Sequence, residues 1–148
     1  MKVCFDTNVI VDIWGRYEDF SDSFCSLDVT LAKELEPCIS VGSLSDLSYL
    51  LVARKHVSKQ RIRHVMSEVL DVFELLDLTA ADCHRANESE MDDFEDALIA
   101  CSAYRCGVDM IVTRNKRDFV KSPVPAMTPH EFVALYEPEG VSYGMARL

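Results

Sequence analysis

Short apolar runs separated by amphipathic stretches constrain this chain more than any other feature. The runs are Lys2–Phe5, Cys38–Val41, Glu74–Leu78 and Asp109–Thr113, with Pro125–Met127 as a short fifth. Between them the pattern is helical. Val9–Trp14 reads as one helix, and Phe24, Leu27, Leu31 and Leu35 mark a second that stops before Pro37. Gly42–Ala53 carries Leu44, Leu47, Leu50 and Leu51 on one side. A helix capped by Ser58 has the stripe Ile62, Val65, Met66, Val69, Leu70 and Phe73. Thr79 opens a helix to about Asn87. An Asp92-x-x-Glu95 capping box opens another through Arg105, which Gly107 stops, and Thr128-Pro129 opens a last one to about Tyr136. Short buried strands alternating with amphipathic helices make an α/β domain, with a central parallel sheet of about five strands flanked by helices in a Rossmann-like arrangement. The chain has 148 residues, 49% of them hydrophobic, enough for one domain with its own core. That domain is expected over 1–137. A tail at 138–148, carrying Pro, Gly and Ser, is expected to be mobile.

Composition excludes several classes. No apolar run reaches the length of a membrane span, and Asp6 interrupts the first apolar run before a signal peptide could form. The expected location is the cytoplasm. The six cysteines lack CxxC spacing, and Cys4, Cys38 and Cys101 sit inside apolar stretches, so free thiols are expected. The four histidines are scattered and suggest no zinc site. Asp and Glu number 25 against 15 Lys and Arg, a formal charge of −10. That argues against broad non-specific binding to nucleic acid, but not against an enzyme acting on one at a metal-neutralised site.

In a parallel sheet, sites form at the carboxyl ends of strands where the strand order reverses. Asp6 directly follows the first run, and Asn115 and Asp118 follow the fourth. Taken singly, each acid has an ordinary explanation. Asp6 suits a helix N-cap, Asp46 a solvent-facing position, Asp93 and Asp96 a helix dipole, and Asp118 a charged loop. Gathered at one edge, like charges about 5 Å apart repel by roughly 3 kcal/mol per pair at an effective dielectric of about 20. Four such groups call for a cation or raised pKa values. Oxygen ligands without His or Cys select magnesium or manganese, as one or two ions. Ions of that kind hydrolyse phosphodiesters.

The chain resembles the PIN-domain ribonucleases, the family that includes the VapC-type toxins of bacterial toxin–antitoxin pairs. The resemblance runs from Met1 to about Leu135 through ordered motifs: Phe5-Asp-Thr-Asn-Val-Ile-Val-Asp12, Ile39-Ser-x-x-Ser-Leu-Ser-Asp-Leu-Ser-Tyr-Leu51, Asp93-Phe-Glu-Asp-Ala-Leu-Ile-Ala100, Ile111-Val-Thr-Arg-Asn-Lys-Arg-Asp-Phe119 and Thr128-Pro-His-Glu-Phe132. It implies a PIN-like nuclease domain whose catalytic, metal-binding acids are Asp6, Asp46, Asp96 and Asp118, supported from behind by Asn8, Asp93, Thr113 and Asn115. It implies a magnesium- or manganese-dependent endoribonuclease, the toxin of a toxin–antitoxin pair, with an RNA substrate, an antitoxin protein and a second copy of the chain as partners. Two positions depart from the family pattern: Asp46 stands where many members have Glu, and Asn115 where Asp is frequent. The second departure sustains an alternative, a catalytically degenerate PIN domain acting only as a binding module. An aspartyl-phosphatase-like hydrolase ranks lower, because that chemistry wants an acid two residues after Asp6 and this chain has Asn8.

Nine of the basic residues fall in two stretches, 54–63 and 114–121. Arg114, Lys116, Arg117, Arg54 and Lys55 are the candidates for RNA contact, since phosphate neutralisation is where an acidic protein most needs cations.

Overall fold

The structure, a computed structural model, describes residues 1–17 and 20–136. The apolar runs become five strands: β1 (Lys2–Phe5), β2 (Glu36–Ser40), β3 (Glu74–Leu76), β4 (Met110–Val112) and β5 (Ala126–Met127). They form one sheet in the order β3-β2-β1-β4-β5, with every neighbouring pair parallel. The connecting helices are α1 (Thr7–Trp14), α2 (Ser21–Ala32), α3 (Val41–Lys55), α4 (Lys59–Val72), α5 (Ala80–Glu88), α6 (Phe94–Arg105) and α7 (Pro129–Tyr136). The expected α/β class and five-stranded parallel sheet are both observed. The tail expected from Pro138 lies outside the described residues.

Alternation along the strands builds a core on each face. Val3, Phe5, Ile39 and Val112 point to one side, where Val9, Ile10, Leu47, Leu51, Val65, Val69 and Phe132 of the helices meet them. Cys4, Cys38 and Ile111 point to the other, against Ala97, Ala100 and Ala103 of α6. Those three alanines are fully buried, and their small side chains let α6 lie close on the sheet. The stripe expected on α4 is largely right, with Ile62, Val65 and Val69 buried, though Leu70 faces water.

Three local readings need correction. The strand containing Cys38 starts at Glu36, so Pro37 lies inside β2. Glu36 N–H donates to Met1 O on the β1 side, so the nitrogen of Pro37 faces the β3 side. There β3 pairs only from Cys38 onward, and the missing donor costs no ladder bond. The cap of α6 is Asp93, which accepts from Asp96 N–H at 2.9 Å, not Asp92. The stripe expected on the second helix holds only in part: Leu27 is buried and Leu35 packs on the core. Phe24 and Leu31 are exposed, while Ser23, Ser26 and Thr30 are buried. Each of these hydroxyls is satisfied nearby: Ser23 Oγ donates to Asp12 Oδ2, Ser26 Oγ to Ser23 O, and Thr30 Oγ1 to Ser26 O. Small satisfied polar residues pack as tightly as apolar ones, so α2 turns that side inward.

Candidate active site

The chain fills the sheet outward from β1 through β2 to β3, then crosses to β4 on the far side of β1. The reversal opens a crevice at the carboxyl ends of β1 and β4, and Asp6 and Thr113 are the residues that follow those two strands. A cleft of about 670 Å³ lies here, and its walls include Asp6, Asn8, Ser40, Asp46, Asp96, Arg114 and Asn115.

Asp6 is the innermost acid, 4% exposed. It caps α1 by accepting from Thr7 N–H at 2.8 Å, and it also accepts from Thr113 Oγ1 at 2.7 Å and Asn8 Nδ2 at 3.3 Å. Its role as N-cap and its place in the cleft are therefore both real. Burial pushes its carboxyl above the ordinary value, while Thr113, Thr7 and Arg114 pull it back. Asp96, in the first turn of α6, is pushed up to about 7, first by burial and then by the negative charges of Asp6, Asp93, Asp118 and Glu95. Asp46 lies on the exposed side of α3 and faces the same cleft. Asp118 does not line it. It sits in a single 3-10 turn, Lys116–Phe119, on the rim, and reaches Asp6 and Asp96 only through its charge. Glu95 and Asn115 stand in the wall instead.

The PIN-domain family profile matches residues 2–117. The chain belongs to the PIN-domain family. No curated protein matches it. Among solved structures, a chain of the VapBC2 complex from Rickettsia felis bound to a promoter DNA fragment is similar, with a TM-score of 0.66 and 22% identity over 86% of this chain and 98% of that one. A chain of a toxin-antitoxin complex from Klebsiella pneumoniae gives a TM-score of 0.63 and 23% identity over 86% and 97%. A chain of FitAcB from Neisseria gonorrhoeae gives 0.65 and 20% over 86% and 98%. At these identities the likeness concerns the fold.

Around the acids of this PIN domain lies a polar support. Asn8 joins the two strand-end loops: its Nδ2 donates to Asp6, and its Oδ1 accepts from Arg114 N–H at 3.3 Å. Thr113 is fully buried; its hydroxyl donates to Asp6 and accepts from Asn115 N–H at 3.0 Å. Asp93 serves α6 as its cap and adds charge beside Asp96. Two features escaped the sequence reading. Thr7 Oγ1 and Ser43 Oγ hydrogen-bond at 2.7 Å and tie the starts of α1 and α3 together. Asp12 is buried in α1, and its only signal was an acid set among Val9, Ile10, Val11, Ile13 and Trp14.

The candidate RNA-contact residues divide. Arg54 and Arg114 line the cleft. Lys55 does not: its Nζ lies 4.3 Å from the centre of the Tyr17 ring, beside a separate groove lined by Trp14, Phe24 and His64. Lys116 Nζ donates to Glu131 Oε2 at 2.8 Å, and Arg117 is exposed in the same 3-10 turn as Asp118.

The wall of the PIN-domain cleft offers carboxylate, amide and hydroxyl oxygens, with no His or Cys. That chemistry suits a hard divalent cation; Asp96 is raised first by burial and then by crowding, and a cation would relieve the crowding. Among the described residues, no three His, Cys, Asp or Glu side chains are already close enough to chelate an ion. The donor set fits such an ion in kind, and the side chains would have to close around it.

Proposed function

We propose that this PIN domain is a metal-dependent endoribonuclease and the toxin of a toxin–antitoxin pair. The observation that carries this reading is the crowding of Asp6 and Asp96 in the crevice where the strand order reverses. Asp6, Asp46 and Asp96 would hold magnesium or manganese, as one or two ions, with Asp118 contributing from the rim. Such an ion, when bound, supplies Lewis acidity for attack of water on a phosphodiester. The chain's own groups do the rest. Thr113 and Asn8 fix the orientation of Asp6, and Arg54 meets the phosphate backbone at the cleft wall. RNA rather than DNA is favoured by the small size of the domain, by analogy.

Asp6→Asn should abolish cleavage of single-stranded RNA in manganese while leaving the fold intact. RNA cut by that variant at the parent rate would refute the assignment. A non-catalytic binding module is the second reading, favoured by Asn115 and by the absence, among the described residues, of a preassembled chelate. Calorimetric titration separates the two: saturable manganese uptake that Asp96→Asn weakens supports the nuclease, and no uptake supports the module.

An antitoxin partner is part of the proposal, supported by the toxin-antitoxin complexes among the similar structures. The product of a neighbouring reading frame should co-purify with the chain and suppress its cleavage of RNA. A homodimer and a cytoplasmic location complete the proposal. Sedimentation would test the first and cell fractionation the second. An aspartyl-phosphatase mechanism lacks support, because Asn8 occupies the position its general acid would take and its amide already bridges Asp6 and Arg114.

A further inference from the structure

Asp12 is an acid the proposed chemistry does not use. Its side chain is 2% exposed, and a carboxylate so deeply buried must be compensated. Two donors converge on one oxygen: Ser23 Oγ at 2.7 Å and Arg114 Nε at 2.8 Å. Arg114 is held at two further places. Its guanidinium carbon lies 3.9 Å from the centre of the Phe20 ring, and its main-chain N–H donates to Asn8. So α1 and the start of α2 together fix Arg114, which the loop after β4 carries.

The way it is fixed is informative. An arginine serving only to neutralise a buried acid does best by presenting two parallel N–H groups to it. Here the acid takes Nε, and among the described residues neither terminal nitrogen has a hydrogen-bond partner. The side chain is 32% exposed and forms a ridge between two cavities. On one side is the acidic cleft; on the other is a groove of about 290 Å³ lined by Phe20, Asp22, Thr128 and His130. Arg114 is close enough to Asp6 for its charge to lower that carboxyl. A polyanion entering a cleft walled by carboxylates needs a fixed cation at its mouth. A planar pair of free N–H groups matches two oxygens of a phosphate.

We infer that Asp12 is a positioning residue: it holds Arg114 by Nε so that the terminal nitrogens anchor one phosphate of the substrate backbone at the mouth of the cleft. The inference rests on the proposed reading of the cleft as a phosphodiester site. It adds a direction, since a strand anchored on the ridge passes from the acids toward the Phe20 groove.

The test uses the full chain and a fluorescein-labelled single-stranded RNA oligonucleotide in calcium, with binding read by anisotropy and Arg114 Nε–Hε followed by NMR. In the parent, the oligonucleotide should shift the Arg114 resonance. Arg114→Gln and Asp12→Asn should each weaken binding about ten-fold, as expected for loss of a charge-assisted hydrogen bond. The double variant should be no weaker than either single one, because both remove the same contact. Arg114→Lys keeps the charge at a part-exposed position and loses the fork, so it should also weaken binding, whether or not Asp12→Asn folds well. Parent-like binding by Arg114→Lys would overturn the inference, as would losses that add in the double variant or an unmoved Arg114 resonance in an oligonucleotide complex. Oligonucleotide bound through Arg114 but left uncut in manganese would uphold the anchor and reject the nuclease. Cleavage with binding indifferent to Arg114 would do the reverse.

Discussion

Asp6 shows how one residue can serve structure and site together. Its carboxylate closes the first turn of α1 and accepts the buried Thr113 hydroxyl. Asn at this position keeps an acceptor for the cap and removes a charge that burial disfavours. Asp6→Asn should therefore unfold within about 1 kcal/mol of the parent, and Asp6→Ala about 2 kcal/mol lower, because the cap and the hydroxyl both lose their acceptor. Urea denaturation checks this, and equal losses for the two variants would argue against the capping role. Asp96 gives a pH dependence whose sign follows from its shift. Its carboxyl is raised to about 7 in the folded chain, so between about pH 4 and 7 the folded state holds a proton that the unfolded state has released. Stability from this group is full below about pH 4 and is lost as pH rises toward 7. In chelator, Asp96→Asn should flatten that fall in melting temperature, and an unchanged slope would mean Asp96 titrates normally.

At the scale of elements, the sequence was legible wherever local chemistry and burial agree. The run Lys2–Phe5 ended by Asp6, the Ser58 cap and Gly107 are such places; Gly107 takes φ +75°, which allows Val108 N–H to reach Ala103 O and close α6. Legibility failed where partners come from far along the chain. Phe24 and Leu31 suggested the wrong inward side for α2, because nothing local shows that Ser23 meets Asp12 of α1. Lys55 and Lys116 read as free cations because Tyr17 and Glu131 are remote from them in sequence. Asp118 was placed correctly after β4, but the 3-10 turn that holds it at the rim has no apolar period to announce it. The α5–α6 pair carries a clamp of the same kind. Asp82 completes a capping box with Thr79, and Arg105 donates to it through Nε and Nη2. Arg105 first, and then the Thr79 contacts, hold the Asp82 carboxyl below its usual range. That stability is present above about pH 4 and is lost as pH falls below it. Asp82→Asn should lower the melting temperature at neutral pH by several degrees and shrink the difference from the parent in acid. A constant difference at every pH would place the effect in packing rather than in the charge.

For the whole molecule, the governing fact is a parallel sheet whose strand order reverses beside β1 in a chain of formal charge −10. The topology brings Asp6 and Asp96 together although 90 positions separate them in sequence, and it does so in a chain already rich in acids. Two kinds of cation effect on stability are then possible. Diffuse screening depends only on ionic strength and acts on every exposed acid. Uptake at the cleft, as proposed, depends on the identity of the ion and adds stability by mass action, about 2.7 kcal/mol when the free ion is a hundred-fold above its dissociation constant. Manganese chloride and sodium chloride at matched ionic strength distinguish them. Manganese should raise the melting temperature well beyond sodium. Asp96→Asn should erase most of that excess while leaving the sodium response unchanged, because it removes one charge from the cleft and almost none from the surface as a whole. Equal shifts for the two salts in the parent would reduce the acidic crevice to a concentration of charge with no site in it.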